Sequence, residues 1–308
     1  MDKLPTTLVE AIRYFEDRDH AVEFVARLRW PKGPVCPSCE GKDHSYLTTR
    51  RLWKCKACKH QFSVKVGTIF EDSAIPLDKW LASIWLIANA KNGISSHELA
   101  RSVGMQQKSA WFVLHRIRLA MQTGTFQKLS GAVEVDETFI GGKARNMHKS
   151  VHKRKISGSG VVDKTAVLGF KQRKDGTVRA MVVPGRGRIT LQPRVYANVE
   201  PGSTLYTDLH HGYTGPLEED YGHEVVDHAI EYVRGQVHTN GLENFWSLLK
   251  RGLKGTYISV QPFHLFRYLD EQVYRFNKRK ANDLTRFLWV LGAVSGRRLT
   301  YASLIGKN

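Results

Sequence analysis

The stretch AVEVDETFI, residues 132–140, reads as a β-strand in which an apolar run ends at an acid, Asp136. Three further strand-like runs follow, and the turn signals Lys-Asp-Gly and Glu-Pro-Gly lie between them. They are VVDKTAVLGF (residues 161–170), TVRAMVVPG (177–185) and STLYTD (203–208). Helical patterns return after Asp208. A strand-rich start followed by mixed strand and helix predicts an α/β domain in this part of the chain.

Two of these runs end in an aspartate. Asp136 closes AVEVD and Asp208 closes STLYTD, and strand ends are where α/β sheets commonly present functional side chains. Either residue alone is also explained as a turn residue or a helix cap. By strand alternation Glu134 shares the face of Asp136, whereas Glu137 points to the other face. Either glutamate is therefore placed to assist or to replace Asp136.

A third acid opens an amphipathic helix. The apolar residues of this helix follow the i, i+3, i+4, i+7, i+11 spacing of one buried stripe: Leu242, Phe245, Trp246, Leu249 and Leu253. Glu243 and Lys250 are two helical turns apart and fall on one line at the edge of the stripe. Asn244 and Arg251 have the same spacing on the far side. The pattern therefore favours Glu243 as the acid that faces a cleft, with Lys250 pointing the same way.

Acids from two strand ends and a helix predict a site for hard divalent cations. Carboxylate oxygens suit Mg²⁺ or Mn²⁺. Two such ions held side by side activate an attacking oxygen and stabilise a leaving oxygen at a phosphodiester. The predicted ligands are Asp136, Asp208 and Glu243.

The chain's four cysteines form two Cys-x-x-Cys pairs: Cys36, Cys39, Cys55 and Cys58. This spacing is typical of a four-thiolate Zn²⁺ site, which we expect to be structural. Two disulfides or a redox-active pair are the alternatives. Basic residues surround this predicted zinc ribbon, with three aromatic rings among them: Tyr46, Trp53 and Phe62. These rings either stack on nucleic acid or form the small core of the ribbon.

Residues 94–121, ISSHELARSVGMQQKSAWFVLHRIRLAM, predict two helices joined at Gly104, with Ser95 or Ser96 as the first cap. The arrangement is typical of a helix-turn-helix, whose second helix enters a major groove of DNA. A plain helical hairpin is the alternative. The predicted DNA contacts of the second helix are Gln106, Gln107, Lys108 and Arg116.

The 308 residues include 47 basic and 29 acidic side chains, which gives a formal charge of +18. This excess indicates a polyanionic partner, with nucleic acid as the leading candidate and a generally basic soluble protein as the alternative. Residues 141–188 alone hold 13 basic side chains and two acidic ones. A loop within this stretch is either a solvated surface or, as we favour, a phosphate-binding arm. The predicted contacts of the arm are Lys153, Arg154 and Lys155.

The sequence shows neither a signal-peptide pattern at its start nor an apolar stretch long enough to span a bilayer. We therefore expect a cytoplasmic, nucleoid-associated protein without membrane contact, in which thiols stay reduced.

Changes in composition divide the chain into five predicted parts. Residues 1–30 form an N-terminal helical segment. A zinc ribbon follows over residues 31–72 and a helix-turn-helix over residues 73–125. The α/β catalytic domain covers residues 126–290, and a C-terminal tail covers residues 291–308.

Three sequence blocks resemble the catalytic blocks of the DDE transposases of prokaryotic insertion sequences. They are VEVDETFIGGK (residues 133–143), LYTDLHHGY (205–213) and HTNGLENFWSLLKRGLKGTY (238–257). The zinc ribbon ahead of them resembles the subgroup whose transposases begin with one. The resemblance implies Asp136, Asp208 and Glu243 as catalytic acids, and Lys250 as the basic residue two turns later. Since some members of the subgroup use Asn in the third position, Asn240 is the alternative to Glu243.

The same resemblance implies a ribonuclease-H-like core, with the first two acids on neighbouring strands and the third on a helix packed across them. It implies that the substrate is double-stranded DNA, both the terminal inverted repeats of the element and a target. Two Mg²⁺ ions would serve strand cleavage and strand transfer, in a homo-oligomer that pairs two element ends. Two other functions stay open: a nuclease that cuts without joining, and a DNA-binding regulator derived from a transposase.

Overall fold

The computed structural model describes residues 3–122, 127–142, 149–150, 164–226 and 239–307. The chain forms two compact units. The first comprises residues 1–122 and 280–308, and the second comprises residues 123–279.

The N-terminal segment contains two helices where the sequence predicted one. Helix α1 spans Leu8–Phe15 and helix α2 spans Arg18–Arg29. Asp17 separates them, because its carboxylate accepts a hydrogen bond of 2.7 Å from the backbone N–H of His20. An aspartate in this position caps a new helix start, so the helical pattern is interrupted there.

Three short antiparallel strands, in the order β1-β2-β3, build the ribbon. They are β1 (His44–Leu47), β2 (Leu52–Cys55) and β3 (Gln61–Phe62). Phe62 is 1% exposed and packs with Cys36 and Cys55. Trp53 is partly buried against the same cluster, so the core interpretation is confirmed for these two rings. Tyr46 differs, since 38% of its surface is exposed.

Three helices follow the ribbon: α3 (Leu77–Asn89), α4 (Ser96–Val103) and α5 (Gln107–Met121). The Ser95 hydroxyl accepts a hydrogen bond of 3.1 Å from the backbone N–H of Glu98 and caps α4. Gly104 ends α4 with a φ of 65°, a left-handed conformation that favours glycine. The two helices joined at a glycine are therefore confirmed, and their function as a DNA-binding motif stays a prediction.

A five-stranded mixed sheet forms the centre of the second unit, in the order β6-β5-β4-β7-β8. Its strands are β4 (Ala132–Ile140), β5 (Thr165–Gln172), β6 (Val178–Val183), β7 (Thr204–Asp208) and β8 (Gly222–Val226). Strand β5 pairs antiparallel with both β4 and β6, whereas β7 pairs parallel with both β4 and β8. The four predicted runs are all strands, and β8 is an additional strand that the sequence pattern did not predict.

Helices cover this sheet, as expected for an α/β domain. They are α6 (Arg188–Asn198), α7 (Leu217–Asp220), α8 (Asn240–Gly252) and α9 (Leu265–Asn277). One core contains Val135 of the sheet and Leu191 of α6. A second core contains Val167 of the sheet and Phe245 of α8. Among the helices described, none has both the length and the apolar character needed to cross a bilayer.

The C-terminal helices belong to the first unit. They are α10 (Asp283–Gly292) and α11 (Tyr301–Leu304). The ring of Phe287 on α10 lies 5.2 Å from that of Trp85 and 5.7 Å from that of Phe15, centroid to centroid. This packing groups residues 280–290 with the N-terminal helices, whereas the sequence analysis assigned them to the catalytic domain.

Helix α8 is fixed to the sheet at its first turn. The backbone N–H of Leu242 donates a hydrogen bond of 3.0 Å to the carboxylate of Glu134. The same carboxylate is 1% exposed and lies 3.1 Å from Arg173 and 3.5 Å from Lys171. An acid at a helix N-terminus satisfies a free N–H group and complements the helix dipole. Glu134 therefore anchors α8 instead of replacing Asp136.

The close approach of α8 to the sheet depends on Gly169 in β5. A Cβ atom at this position would lie 2.5 Å from the ring of Trp246 and 3.2 Å from Leu242. Gly169 pairs with Asp136 across the antiparallel ladder of β4 and β5. The absent side chain thus gives the Trp246 ring its place next to Asp136. Asp136 lies in the middle of β4, and not at the end of a strand as the sequence had predicted.

We expect Gly169→Ala to lower the free energy of unfolding by about 1–3 kcal/mol, because the added methyl group displaces the Trp246 ring. Urea denaturation followed by circular dichroism measures the change. Gly185→Ala is the matched control, since a Cβ there meets nothing within 4 Å. Equal stability of the two variants would contradict the assigned contact.

Candidate metal sites

The four cysteine sulfurs converge in the ribbon, where each lies within 4.8 Å of the other three. The sulfurs of Cys36 and Cys58 are 3.6 Å apart. Those of Cys39 and Cys55 are separated by the same 3.6 Å. Sulfurs bound at about 2.3 Å to one tetrahedral Zn²⁺ lie about 3.8 Å from one another, so this spacing fits a zinc site. All four cysteines are free, so the alternative of two disulfides is wrong.

The two Cys-x-x-Cys turns have the same backbone form. The residue after each second cysteine has a left-handed conformation, with φ of 58° at Glu40 and 63° at Lys59. The N–H of Glu40 donates to the carbonyl of Cys36 at 2.9 Å, and the N–H of Lys59 donates to that of Cys55 at 3.0 Å. Two equivalent turns thus present two sulfurs each, which is the arrangement of a zinc ribbon.

A second candidate site lies where strands β4 and β7 separate. The two strands pair only between residues 132–134 and residues 204–206. Strand β7 continues alongside β8 as far as Asp208. Asp136 and Asp208 each lie two positions beyond the last pair, so both side chains belong to the same face of the sheet. The separation of the strands opens a gap beside these two acids.

Three carboxylates converge at this gap: Asp136, Glu137 and Asp208. One oxygen from each lies within 4.8 Å of one oxygen from each of the others. The structure therefore brings the two predicted strand-end acids together. The third member of the close group is Glu137, which follows Asp136 directly in the sequence.

Two donors hold the carboxylate of Asp136. The indole N–H of Trp246 donates to Oδ2 at 2.8 Å, and the backbone N–H of Glu137 donates to Oδ1 at 2.7 Å. Because Trp246 belongs to the buried stripe of α8, this helix orients the first acid directly.

The other two acids have contrasting surroundings. The side chain of Glu137 is only 3% exposed, accepts a hydrogen bond from the hydroxyl of Tyr213 and lies 3.8 Å from Arg186 Nε. By contrast, Oδ1 of Asp208 is buried and accepts no hydrogen bond from the described residues. A buried carboxylate oxygen without a donor is costly unless an ion or a water occupies the position beside it. The donor set and this free oxygen fit a hard divalent cation.

Burial raises the pKa of both acids on β4. The pKa of Asp136 is about 6, and the nearby charges of Asp208 and Glu243 add to the effect of burial. The pKa of Glu137 is about 7, although the hydrogen bond from Tyr213 lowers it. The site therefore disfavours several negative charges at once until a cation joins them.

The helix-borne acid lies at the rim of this site. Glu243 and Lys250 are exposed on α8. Glu243 is outside the close group of three acids, but its charge contributes to the raised pKa of Asp136. Asn240, the alternative to Glu243, is exposed at the first position of α8. Which of these two side chains binds metal stays a prediction.

Three of the predicted DNA contacts are exposed at the start of α5: Gln106, Gln107 and Lys108. The three predicted contacts of the basic arm lie outside the described residues: Lys153, Arg154 and Lys155.

Arg116, the fourth predicted contact on α5, lies in the interior of the first unit. It is 4% exposed, and its guanidinium donates to the backbone carbonyls of Ile69, Glu71 and Leu299. A buried guanidinium needs such acceptors, because an unpaired buried charge is destabilising. Arg116 therefore stabilises the packing of the first unit, and its burial contradicts the predicted DNA contact.

Sequence reasoning missed three residues that shape the acid site: Trp246, Tyr213 and Arg186. The sequence pattern identified Trp246 only as an apolar residue of the buried stripe. A buried indole N–H also needs a hydrogen-bond acceptor, and this requirement was the available signal. Tyr213 ends the same sequence block as Asp208, which is a weak local signal. Arg186 had no signal beyond the general excess of basic residues around it.

The chain matches two transposase family models and is similar, over most of its length, to a protein of a transposable element. A family model described as the ISXO2-like transposase domain matches residues 128–277, and a transposase zinc-ribbon domain model matches residues 16–61. An uncharacterized protein in transposable element ISH50 of Halobacterium salinarum is 30% identical over 256 residues, which cover 79% of this chain and 85% of that protein. An uncharacterized transposase-like protein of Haemophilus influenzae is 31% identical over 100 residues, which cover 32% of this chain and 80% of that protein.

We expect Cys58→Ser to lose most of its bound Zn²⁺, because three thiolates hold the ion far less tightly than four. The ribbon should then unfold locally and become sensitive to trypsin at exposed sites such as Lys56. Zinc content per chain, measured by atomic emission, and the rate of tryptic cleavage test this. Ser38→Ala, which changes the other Cys-x-x-Cys turn but no ligand, should match the wild type. A full zinc content in Cys58→Ser would contradict the assignment.

The raised pKa values predict how stability depends on pH when no divalent cation is added. The folded chain holds the protons of Asp136 and Glu137 more tightly than the unfolded chain, whose values lie near 3.8 and 4.5. The free energy of unfolding contributed by this site therefore falls as the pH rises from about 4 and levels off above about 7.

Asp136→Asn removes one of these charges but keeps an acceptor for Trp246. We expect this variant to be more stable than the wild type at pH 8 by about 1–3 kcal/mol, and by less at pH 5. Urea denaturation at both pH values measures the difference. Asp220→Asn, at an exposed aspartate of α7, is the matched control. A gain in stability of the same size at both pH values would contradict burial as its cause.

Proposed function

Because this chain belongs to the ISXO2-like transposase family, we propose that it cuts DNA at the ends of an insertion sequence and joins those ends to a target strand. The observation that carries the proposal is the convergence of carboxylates where β4 and β7 separate. Oxygens this close suit the hard cations on which metal-dependent phosphodiester chemistry relies.

The proposed fold of the second unit is ribonuclease-H-like. Two features support this. Asp136 and Asp208 lie on the neighbouring strands β4 and β7. Helix α8, which carries Glu243, packs against β4 and β5. This is the placement of acids that the family resemblance implies.

The proposed ligands of two Mg²⁺ or Mn²⁺ ions are Asp136, Asp208 and Glu243. The buried oxygen of Asp208 that lacks a donor supports this, and so does the raised pKa of Asp136, since a bound cation relieves both conditions. When bound, the ions would supply Lewis acidity that activates an oxygen nucleophile and stabilises the leaving oxygen.

The protein's own side chains orient this site and the DNA. Trp246 holds the direction of the Asp136 carboxylate through its indole N–H. Lys250 lies two turns after Glu243 on the same side of α8, and it is the proposed contact to a backbone phosphate. In the first step water attacks a phosphodiester and a 3′-hydroxyl leaves. In the second step that hydroxyl attacks a target phosphodiester, so one P–O bond forms as another breaks and no covalent protein intermediate is needed.

The first unit is proposed to recognise the terminal inverted repeats. Gln106, Gln107 and Lys108 are exposed at the N-terminal end of α5, which is where a recognition helix contacts base edges. Glutamine pairs with adenine in the major groove, and lysine contacts guanine or phosphate. The basic surface of the zinc ribbon and the segment of Lys153, Arg154 and Lys155 are proposed to bind phosphates. A homo-oligomer that pairs two element ends is the proposed active species, associated with the nucleoid.

Strand transfer in a purified system tests this proposal. The zinc-loaded protein is mixed with Mg²⁺, a labelled fragment carrying one of the inverted repeats that flank the coding region, and a plasmid. We expect labelled fragment joined to plasmid. In Asp208→Asn the rate of joining should fall by more than about 100-fold, because the variant lacks one of the proposed metal ligands. Asp220→Asn should join the fragment at the wild-type rate.

The other outcomes are also informative. Nicked plasmid without joined product would identify a nuclease instead of a transposase. Binding of the fragment without cleavage would identify a DNA-binding regulator. Unchanged transfer by Asp208→Asn would exclude the carboxylate site as the catalytic centre.

A further inference from the structure

Glu137 supplies the third oxygen of the close carboxylate group, although alternation along β4 places it on the opposite face from Asp136. The geometry of the sheet explains this. After residue 134, strand β4 has no β7 partner, so its edge on that side is open. Side chains from both faces of β4 reach this open edge, where Asp208 ends β7.

Two groups from separate segments contact the Glu137 carboxylate, one through a hydrogen bond and the other through its charge. The hydroxyl of Tyr213 donates to Oε1, and the guanidinium of Arg186 lies 3.8 Å from Oε2. The Tyr213 side chain is itself fully buried in the core that contains Val135. A hydrogen bond at one oxygen and a cation near the other give the carboxylate a preferred direction before any ligand arrives.

The backbone around Gly212 keeps Tyr213 and Arg186 close together. A Cβ on Gly212 would lie 2.6 Å from a methyl group of Leu191 and 2.8 Å from the carbonyl oxygen of Arg186. The segment that carries Tyr213 therefore packs directly on the backbone that carries Arg186. Only glycine permits this approach.

Glu271, another buried glutamate of the same unit, is an example of an acid with a purely structural role. Glu271 is fully buried, and it accepts hydrogen bonds from the hydroxyl of Tyr257 and the guanidinium of Arg275. In the described part of the chain, Glu271 belongs to no group of three metal-ligating side chains. Its partners are of the same kinds as those of Glu137, a tyrosine hydroxyl and a guanidinium.

Glu137 differs because two further acids lie within 4.8 Å of it. Arg186 is the cation paired with Glu137, whereas Oδ1 of Asp208 has no donor among the described residues. A positioned glutamate that faces two more carboxylates, one of them with a free buried oxygen, has the composition of a ligand set for a divalent cation.

We propose that Glu137 is a further ligand of the divalent cations, borne on the same strand as Asp136, and that Tyr213 and Arg186 are positioning residues that direct its carboxylate. The inference deepens the proposed function and rests on it, since it concerns the same ions. It assigns the strand-borne part of the site to Asp136, Glu137 and Asp208, and it leaves Glu243 as the ligand contributed by the helix.

Binding of Mn²⁺ to the intact, zinc-loaded protein tests the assignment without measuring activity. Free Mn²⁺ is followed by its electron paramagnetic resonance signal during a titration. We expect Glu137→Gln to weaken Mn²⁺ binding by about 10- to 100-fold, and Tyr213→Phe to weaken it less, because the ligand remains but is less well directed. Glu137→Asp, which keeps the charge on a shorter side chain, should recover part of the affinity.

Two controls separate loss of a ligand from loss of structure. Glu224→Gln changes an exposed glutamate of β8 in the same sheet and should bind Mn²⁺ like the wild type. Glu271→Gln disturbs the comparable buried group and should lower the free energy of unfolding, measured in urea, without lowering Mn²⁺ affinity.

The outcomes distinguish this inference from the proposed function. Wild-type Mn²⁺ affinity in Glu137→Gln, together with weakened binding in Asp208→Asn, would overturn the role of Glu137 and leave the proposed function intact. Absence of Mn²⁺ binding by the wild type would overturn both. A Glu137→Gln variant that loses stability but keeps its Mn²⁺ affinity would show that Glu137 is structural, like Glu271.

Discussion

The second unit depends on holding negative charges together inside a folded protein. Three carboxylates lie within 4.8 Å of one another, and two of them have pKa values raised by burial. Such a group is unfavourable without a cation, so the surrounding structure must keep it in place. The Trp246 ring over Gly169 holds Asp136, and the packed turn at Gly212 holds Tyr213, which donates to Glu137. Much of the tight packing around the sheet therefore serves these few acids.

The surroundings of each buried acid separate structural roles from functional ones. Glu134 lies beside Arg173 and Lys171 and accepts from the N-terminus of α8, so its charge is balanced by the protein itself. Glu271 is likewise balanced by Arg275. Asp136 and Asp208 have each other as neighbours, and Oδ1 of Asp208 lacks a donor. Acids that the protein balances one by one stabilise the fold. The group of Asp136, Glu137 and Asp208 has only Arg186 paired with it, so it keeps an excess of negative charge that a cation from solution can neutralise.

A feature of this structure was predictable from the sequence when the residues that determine it lie within one short segment. The cysteine pairs, the caps at Ser95 and Gly104 and the buried stripe of α8 are set by residues a few positions apart, and each was predicted. The strand order and the separation of β4 from β7 are not encoded in any one segment, so the closeness of Glu137 to Asp208 was not predictable. Arg116 is a similar case, because the carbonyls that bind it come from distant segments of the chain.

The contrast between Glu137 and Glu243 follows from the elements that carry them. Strand β4 is paired with β5 from Val133 to Ile140, so Glu137 is placed by the sheet and directed by the hydroxyl of Tyr213. Glu243 stands on the edge of the α8 stripe, whose buried side is fixed by Glu134 and Gly169 while the acid itself faces solvent. Glu243 is therefore placed to join, from the helix, a cation that we propose the closely spaced strand-borne acids bind.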